Sequence, residues 1–567
     1  MHQLVIRNGS LVDGTGSPAR AADLAVDDGV ITEIAPAGTI TTSAETEIDA
    51  TGLIVTPGWI DVHTHYDGQA TWDDELAPSS HHGVTTIVMG NCGVGFAPVR
   101  PGEEGFLIEV MEGVEDIPGT ALHEGIDWRW ETFAEYLDAL DAMPRTIDIG
   151  TQLPHAAVRA YVLGERAHDD DVTPDEIAQM VDITRSALNA GAFAFSTSRT
   201  VLHTSKYGLV PGTNATPDEV IAIAEAVRDS GHALFQYVSD DQGTGGDEPW
   251  LDTLRDMGCP TTYTLAQTPR SPEAFRNALD SAADRESSAP LIPQVPARPT
   301  GMLFGLQSSF HPFIVHPSYR ANEKPSLAER VQLLSDPEFA AQLLAEKPLT
   351  HDKFVTHMAT NWTQIYRLGN PVDYEPRPET SVAGVAEVTG RTPQEVCLEW
   401  LLEDDGRAFL FAPLGSYANH DHEALREMLE HPLTIPGAGD GGAHCGLICD
   451  ASFPSYFLTH WARDRERGPK ISLEHVVRMQ TSGTADVYGM TDRGRIEPGK
   501  LADINVIDHD AMYLHPPRMV HDLPAGGRRL LQDVDGYRYT IKAGIVTFAD
   551  GEPTGARPGR LIRSGQF

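Results

Sequence analysis

Two tetrapeptides, Thr173-Pro-Asp-Glu176 and Thr216-Pro-Asp-Glu219, constrain the fold of this 567-residue chain more than any bulk property does. Each offers a capping hydroxyl, a proline preset for the first helical position, and acid in the first turn. Apolar, strand-like runs flank them: Thr85–Gly90, Thr146–Gly150, Ala192–Ser196, His232–Tyr237, Thr261–Leu265 and Phe354–Met358, with Phe409–Ala412 and Leu433–Gly439 further on. Strand, capped helix, strand, repeated about eight times, predicts an α/β chain folded as a (β/α)8 TIM-like barrel. The span from about 295 to 410 exceeds what simple units need and predicts a helical insertion, with helices over Ser326–Glu346 and Pro393–Glu403.

The two ends have a different texture. Asn8-Gly9 and Asp28-Gly29 interrupt apolar runs as hairpin signals do, and Asp503–Asp508 and Tyr537–Phe548 resume the pattern. The expectation is a small β-sandwich assembled from residues 1–55 and 491–567, around a barrel over 56–490.

Composition bounds the partners. Lys and Arg number 42 against 82 Asp and Glu, a net charge of −40, which repels phosphate backbones and anionic lipid and argues against nucleic-acid or membrane partners. Five scattered cysteines make no disulfide framework and suit a reducing compartment. The start of the chain reads as strand and turn, without a secretory pattern, so a cytoplasmic protein is expected.

The residues with chemistry lie where strands end. The run Leu53–His65 closes on His63 and His65, two residues apart, so both imidazoles leave one face of the strand together. Two converging neutral imidazoles are metal ligands in want of a third, or merely polar residues at a strand exit. Later strand ends offer Asn91-Cys92-Gly93, then Ser196, Ser198, Arg199 and His203, then Gln236 and Asp240, then Gln267 and Arg270, and finally Gly439-Asp440-Gly441-Gly442-Ala443-His444. Amide hydrolysis needs an activated water, stabilised developing charge, and an acid for the leaving amine. His63, His65 and Asp440 could supply these around one divalent metal, zinc by the preference of imidazole with carboxylate. Asp67 is read as a turn residue of the same loop, and His81-His82 as structural.

Several longer segments resemble a known family. Pro57–His65, Gly83–Val94, Gly437–Gly442, Thr484–Gly489 with Gly494–Asp503, and Val520–Arg528 are similar to motifs of the amidohydrolase superfamily, close to the D-aminoacylases (N-acyl-D-amino-acid deacylases). The resemblance spans nearly the whole chain. It implies a barrel with a small β-sandwich, a metal-dependent hydrolase of carbon–nitrogen bonds other than peptide bonds, and Asp440 as general acid/base. It also implies Cys92 as a metal ligand; read on its own, Cys92 is equally an inert buried thiol.

Two departures matter. Gln236 and Gln267 fall where that family carries zinc-binding histidines after strands five and six, and an amide is a poor zinc ligand. The expectation is therefore one metal, held by His63, His65 and Asp440 with Cys92, and a position open to water. Lys206 is the only lysine near the end of strand four, in the loop that follows it. Arg199 and Arg270 either grip a substrate carboxylate or make surface ion pairs, and His444 either handles substrate or is a loop histidine. Gln236 and Gln267 complete the substrate-binding candidates.

The expected partner is a small carboxylate-bearing molecule, most simply an N-acyl (D-)amino acid. A cyclic imide, lactone or ester remains an alternative substrate class, and a ligand-binding barrel with a decayed metal site the alternative from another class. A homo-oligomer is open by fold-level analogy alone.

Overall fold

The computed structural model describes residues 1–239, 249–283, 289–324 and 326–567. Asp240 lies outside them.

Eight parallel strand segments pair in chain order: β1 (Trp59–Asp61), β2 (Val84–Met89), β3 (Asp148–Thr151, continued by Leu153–Pro154), β4 (Ala194–Ser198), β5 (Leu234–Val238), β6 (Thr261–Thr264), β7 (Leu291–Val295) and β8 (Ile435–Pro436). The ring closes where Thr64 bridges Gly441 in parallel. There the His65 amide donates to the Gly441 carbonyl at 2.8 Å and the Asp440 amide to the His63 carbonyl at 3.1 Å. The predicted helix starts are present. Thr173 forms a reciprocal capping box with Glu176 ahead of Pro174–Ala190, and Thr216 caps Pro217–Ser230. Glu219 makes no reciprocal bond because it is buried against Arg159 and His155.

Three expectations are corrected here. Phe354–Met358 is not a strand but part of the helix Lys353–Thr360, because Asp352 accepts from the amides of Phe354 and Val355 and starts one. Leu410–Pro413 is extended but lies outside the ring, in an antiparallel sheet with Gly301–Phe304 and Tyr366–Arg367. The seventh ring strand is Leu291-Ile-Pro-Gln-Val295, where Pro293 disguises the run. The remainder between β7 and β8 is largely helical, including Leu327–Ser335, Pro337–Ala345 and Pro393–Leu401, over a core of its own around Phe304, Phe313, Trp400 and Leu410.

A nine-stranded sheet draws strands from both ends of the chain and is joined where Ile54–Pro57 runs antiparallel to Ile504–Ile507. Asp28-Gly29 makes the expected hairpin turn, both residues at positive φ (50° and 74°). Asn8-Gly9 does not. It is a bulge within one strand, His2–Leu11, where a Cβ on Gly9 would come within 2.5 Å of a Val55 methyl. Buried ions tie ring to sheet: Asp148 on β3 meets Arg493 and Lys542, each at 2.7 Å, and Lys542 continues to Asp503 at 2.8 Å. No described helix is long and apolar enough to cross a membrane.

Candidate active site

β1 delivers His63 and His65 to one end of the ring, and the turn after β8 brings Asp440 against both. His63 Nε2 lies 3.3 Å and His65 Nε2 3.7 Å from the same oxygen, Asp440 Oδ1. Cys92 Sγ lies 3.3 Å from His63 Nε2, and the donor atoms of His63, His65 and Cys92 all fall within 4.8 Å of one another. Both imidazoles are fully buried.

Neighbours fix the ring orientation. His63 Nδ1 is 2.6 Å from Gln294 Oε1 on β7, while the Gln294 amide nitrogen donates to Thr262 Oγ1 (3.1 Å) and the Tyr488 hydroxyl (3.3 Å). An amide oxygen only accepts, so Nδ1 carries the hydrogen and Nε2 turns its lone pair to the centre. His65 Nδ1 faces Glu115 Oε1 at 3.4 Å, yet neither His65 nitrogen has a hydrogen-bond partner among the described residues. Such an orphaned buried imidazole, beside a second lone pair, a carboxylate and a thiol, fits a divalent cation of zinc type.

The backbone here is held in uncommon conformations. Cys92 (φ 56°), Ala438 (54°), Asp440 (46°) and His444 (51°) are all left-handed without being glycine, a strain that clusters where function over-determines geometry. Local bonds hold it. The Asn91 amide donates to the carbonyls of Thr64 and Val88 and accepts from Gln152, and the Gly93 amide donates to Ser196 Oγ.

Electrostatics separate the acids. Burial opposes ionisation of Asp440, but the neighbouring His65 ring and the charges of His63 and His444 outweigh it and hold the carboxyl well below its usual range. Burial, with Asp440 and Asp67 nearby, pushes Glu115 well above. Burial also pushes His65 down to about 4 and the Cys92 thiol well up.

Of the other predicted residues, His444 belongs to this cluster, with Nε2 3.5 Å from Glu115 Oε2 and 3.9 Å from Asp440 Oδ2. His203, bonded to Ser198 at 2.8 Å, feels the charges of His444, His65 and Asp440. Gln236 is fully buried on β5, in register with Ser196 and Thr262, and neither amide atom finds a partner among the described residues.

The structure draws others into local packing. Gln267 accepts from the Ala418 amide at 3.0 Å and donates to the Pro272 carbonyl at 3.2 Å. Arg199 Nη1 donates to the carbonyls of Gly212 and Ala215, bracing the loop after β4. Arg270 is exposed beyond β6, and Lys206 pairs with Glu109 on the surface. Asp67 braces its loop by accepting from the Gly90 amide, and His82 is bonded to Ser455. The five cysteines are free and buried.

Sequence reasoning missed Glu115 and Gln294. A lone glutamate closing the helix Glu104–Glu115 carries no pattern, though its near-complete burial sets it apart once folded. Gln294 sits in the strand that Pro293 concealed.

A ring of parallel strands with paired imidazoles at the exit of its first strand and an acid at the exit of its last defines a hydrolase of the amidohydrolase type. The amidohydrolase family model matches residues 46–548, and the chain belongs to that family, whose members act on carbon–nitrogen bonds other than peptide bonds. D-aminoacylase of Alcaligenes xylosoxydans xylosoxydans is 26% identical over 94% of this chain and 94% of its own length. N-acyl-D-aspartate deacylase of the same organism is 25% identical over 99% of this chain and 95% of its own. The solved structure of N-acyl-D-glutamate deacylase from Bordetella bronchiseptica, complexed with zinc and a phosphonate inhibitor, superposes with a TM-score of 0.64 at 21% identity, covering 99% of both chains, and shares the fold.

Proposed function

We propose that this enzyme removes the acyl group from N-acyl D-amino acids at one divalent metal, held by His63, His65 and Asp440 with Cys92, at the mouth of a (β/α)8 barrel. The observation that carries the reading is the convergence of two buried imidazoles, that of His63 tautomer-fixed by Gln294, on a single Asp440 oxygen. The relatives' names, D-aminoacylase and N-acyl-D-aspartate deacylase, support the substrate class.

Zinc held here supplies positive charge that polarises a carbonyl and acidifies water. Asp440, ionised and beside the metal donors, takes the proton of the attacking water and passes it to the departing amide nitrogen, so the amine leaves neutral. His444 and His203 flank that path. The unpaired amide of Gln236 is assigned to bond substrate within the ring, and Arg270, exposed beyond β6, is assigned to the substrate carboxylate. Gln267, committed to its loop, offers nothing to a second ion beside this one.

A panel of N-acetyl D- and L-amino acids, with His63→Ala as control, tests the reading. Turnover of D-substrates that vanishes in His63→Ala supports it, together with loss of one metal equivalent in the His63→Ala/His65→Ala protein. Absence of turnover on every amide, imide and ester by metal-loaded enzyme refutes it.

A further inference from the structure

A second set of metal-type donors lies away from this centre. Glu375 follows the extended pair Tyr366–Arg367, His422 immediately precedes the helix Glu423–Glu430, and His460 sits in a π-helical turn, Phe457–Asp464. They come from segments 47 and 38 residues apart in sequence, yet their donor atoms lie within 4.8 Å of one another. Glu375 and His422 are buried, and His460 is partly so.

The hydrogen-bond pattern leaves two nitrogens of this cluster without a partner among the described residues. His422 Nε2 is 2.9 Å from the Tyr374 carbonyl, which can only accept, so Nε2 carries the hydrogen. Nδ1 then turns a lone pair toward Glu375 Oε2, 3.8 Å away. His460 Nε2 faces the same oxygen from 3.4 Å, and its ring is clamped by stacking on Tyr456 at 4.7 Å. Neither His422 Nδ1 nor His460 Nε2 has a hydrogen-bond partner among the described residues. Two buried nitrogens and a carboxylate oxygen thus face one another, and among the described residues neither nitrogen is hydrogen-bonded.

The other oxygen, Oε1, is saturated. It accepts from the His422 amide at 2.9 Å and from Arg465 Nη2 at 3.0 Å. Arg465 Nε also reaches Oε2 at 3.2 Å, and the same guanidinium is shared with Glu423 at 2.8 Å, which offsets its charge. The Tyr374 carbonyl on His422 and the guanidinium on Glu375 are the outer-shell partners by which proteins aim metal ligands. π-Turns such as the one carrying His460 are uncommon and concentrate at functional positions.

We propose that Glu375, His422 and His460 form a second divalent-cation site, of zinc-type chemistry, with a remaining position for water. Its role is structural: one ion fastens the segment inserted between β7 and β8 to the helix that packs behind the ring, coupling metal binding to the order of that segment.

Zinc-loaded protein, freed of excess metal by gel filtration, is analysed for zinc per chain in wild type, His63→Ala/His65→Ala, His422→Ala and Glu375→Gln. About one equivalent should persist in His63→Ala/His65→Ala, and each of the other two variants should lose one while keeping turnover. Anomalous diffraction at the zinc edge from wild-type crystals should show a peak among Glu375, His422 and His460. A folded His63→Ala/His65→Ala protein free of zinc overturns the proposal, as does a wild-type map blank at this cluster. Should a variant fail to fold, the wild-type map decides alone. Zinc at this cluster with none at His63 would sustain the proposal and remove the catalytic reading instead.

Discussion

Gln294→Leu should weaken zinc binding at the proposed His63–His65 site without unfolding the protein. The leucine occupies similar volume on β7 but cannot accept the hydrogen on His63 Nδ1, now 2.6 Å from the amide oxygen. The Thr262 hydroxyl, which the amide also contacts, keeps its bond to the Ile292 carbonyl at 3.0 Å, and the Tyr488 hydroxyl loses only a long contact of 3.3 Å. The cost therefore falls on His63. A buried donor left unpaired costs about 1–3 kcal/mol. Loss of the partner behind a metal-ligating histidine weakens binding about 10- to 100-fold. At about 1.4 kcal/mol per decade that is about 1.4–2.8 kcal/mol, so the two routes agree. The assay is competition for zinc against a chelator of known affinity, read beside kcat/KM, with circular dichroism confirming the fold. Gln294→Glu, which restores an acceptor, should recover most of the loss. A folded Gln294→Leu protein that binds zinc as wild type does, with unchanged kcat/KM, would show that Gln294 does not orient His63.

Asp440→Asn should lower kcat by about 10²- to 10⁴-fold, the range of a lost proton shuttle, measured on the best D-substrate of the panel. Glu115→Gln should weaken zinc binding about tenfold, because the carboxyl group facing His65 Nδ1 helps orient that ring. Asp148→Asn should destabilise the fold by about 3–5 kcal/mol in urea unfolding, since it leaves Arg493 and Lys542 buried without their shared partner. Burial raises the Asp148 carboxyl, but Lys542 and Arg493 outweigh it and hold it below its usual value. Its contribution is therefore present above the unfolded value of about 3.9 and lost as pH falls through the lower folded one, so Asp148→Asn should flatten the acid limb of the stability profile. Arg270→Ala should raise KM with little change in kcat if that side chain meets the substrate carboxylate only on binding.

How much of this was legible from residues alone follows from where each signal resides. Helix starts are local, so Thr173 and Thr216 announce them with four residues each. The His63–His65 pair is also local: period two in a strand fixes a shared face, whatever the strand packs against. Phe354–Met358 shows the limit of reading apolar runs, because the deciding atom was the Asp352 carboxylate just before it, which begins a helix where the run suggested a strand. Gln294 fails for the converse reason. Pro293 argues against a central strand, yet β7 tolerates it between β6 and β8, and the residue after it becomes the acceptor behind His63. Glu115 has no local signal at all. Its proximity to His65 and His444 exists only because the ring closes at Thr64 and Gly441, and because the His444 amide donates to the Glu115 carbonyl and docks the helix end on the last loop. A residue whose role depends on ring closure is visible only after closure, so site residues beyond the strand exits are best sought among buried polar groups lacking partners, the test that singles out Glu115 and His65 here and His422 and His460 elsewhere.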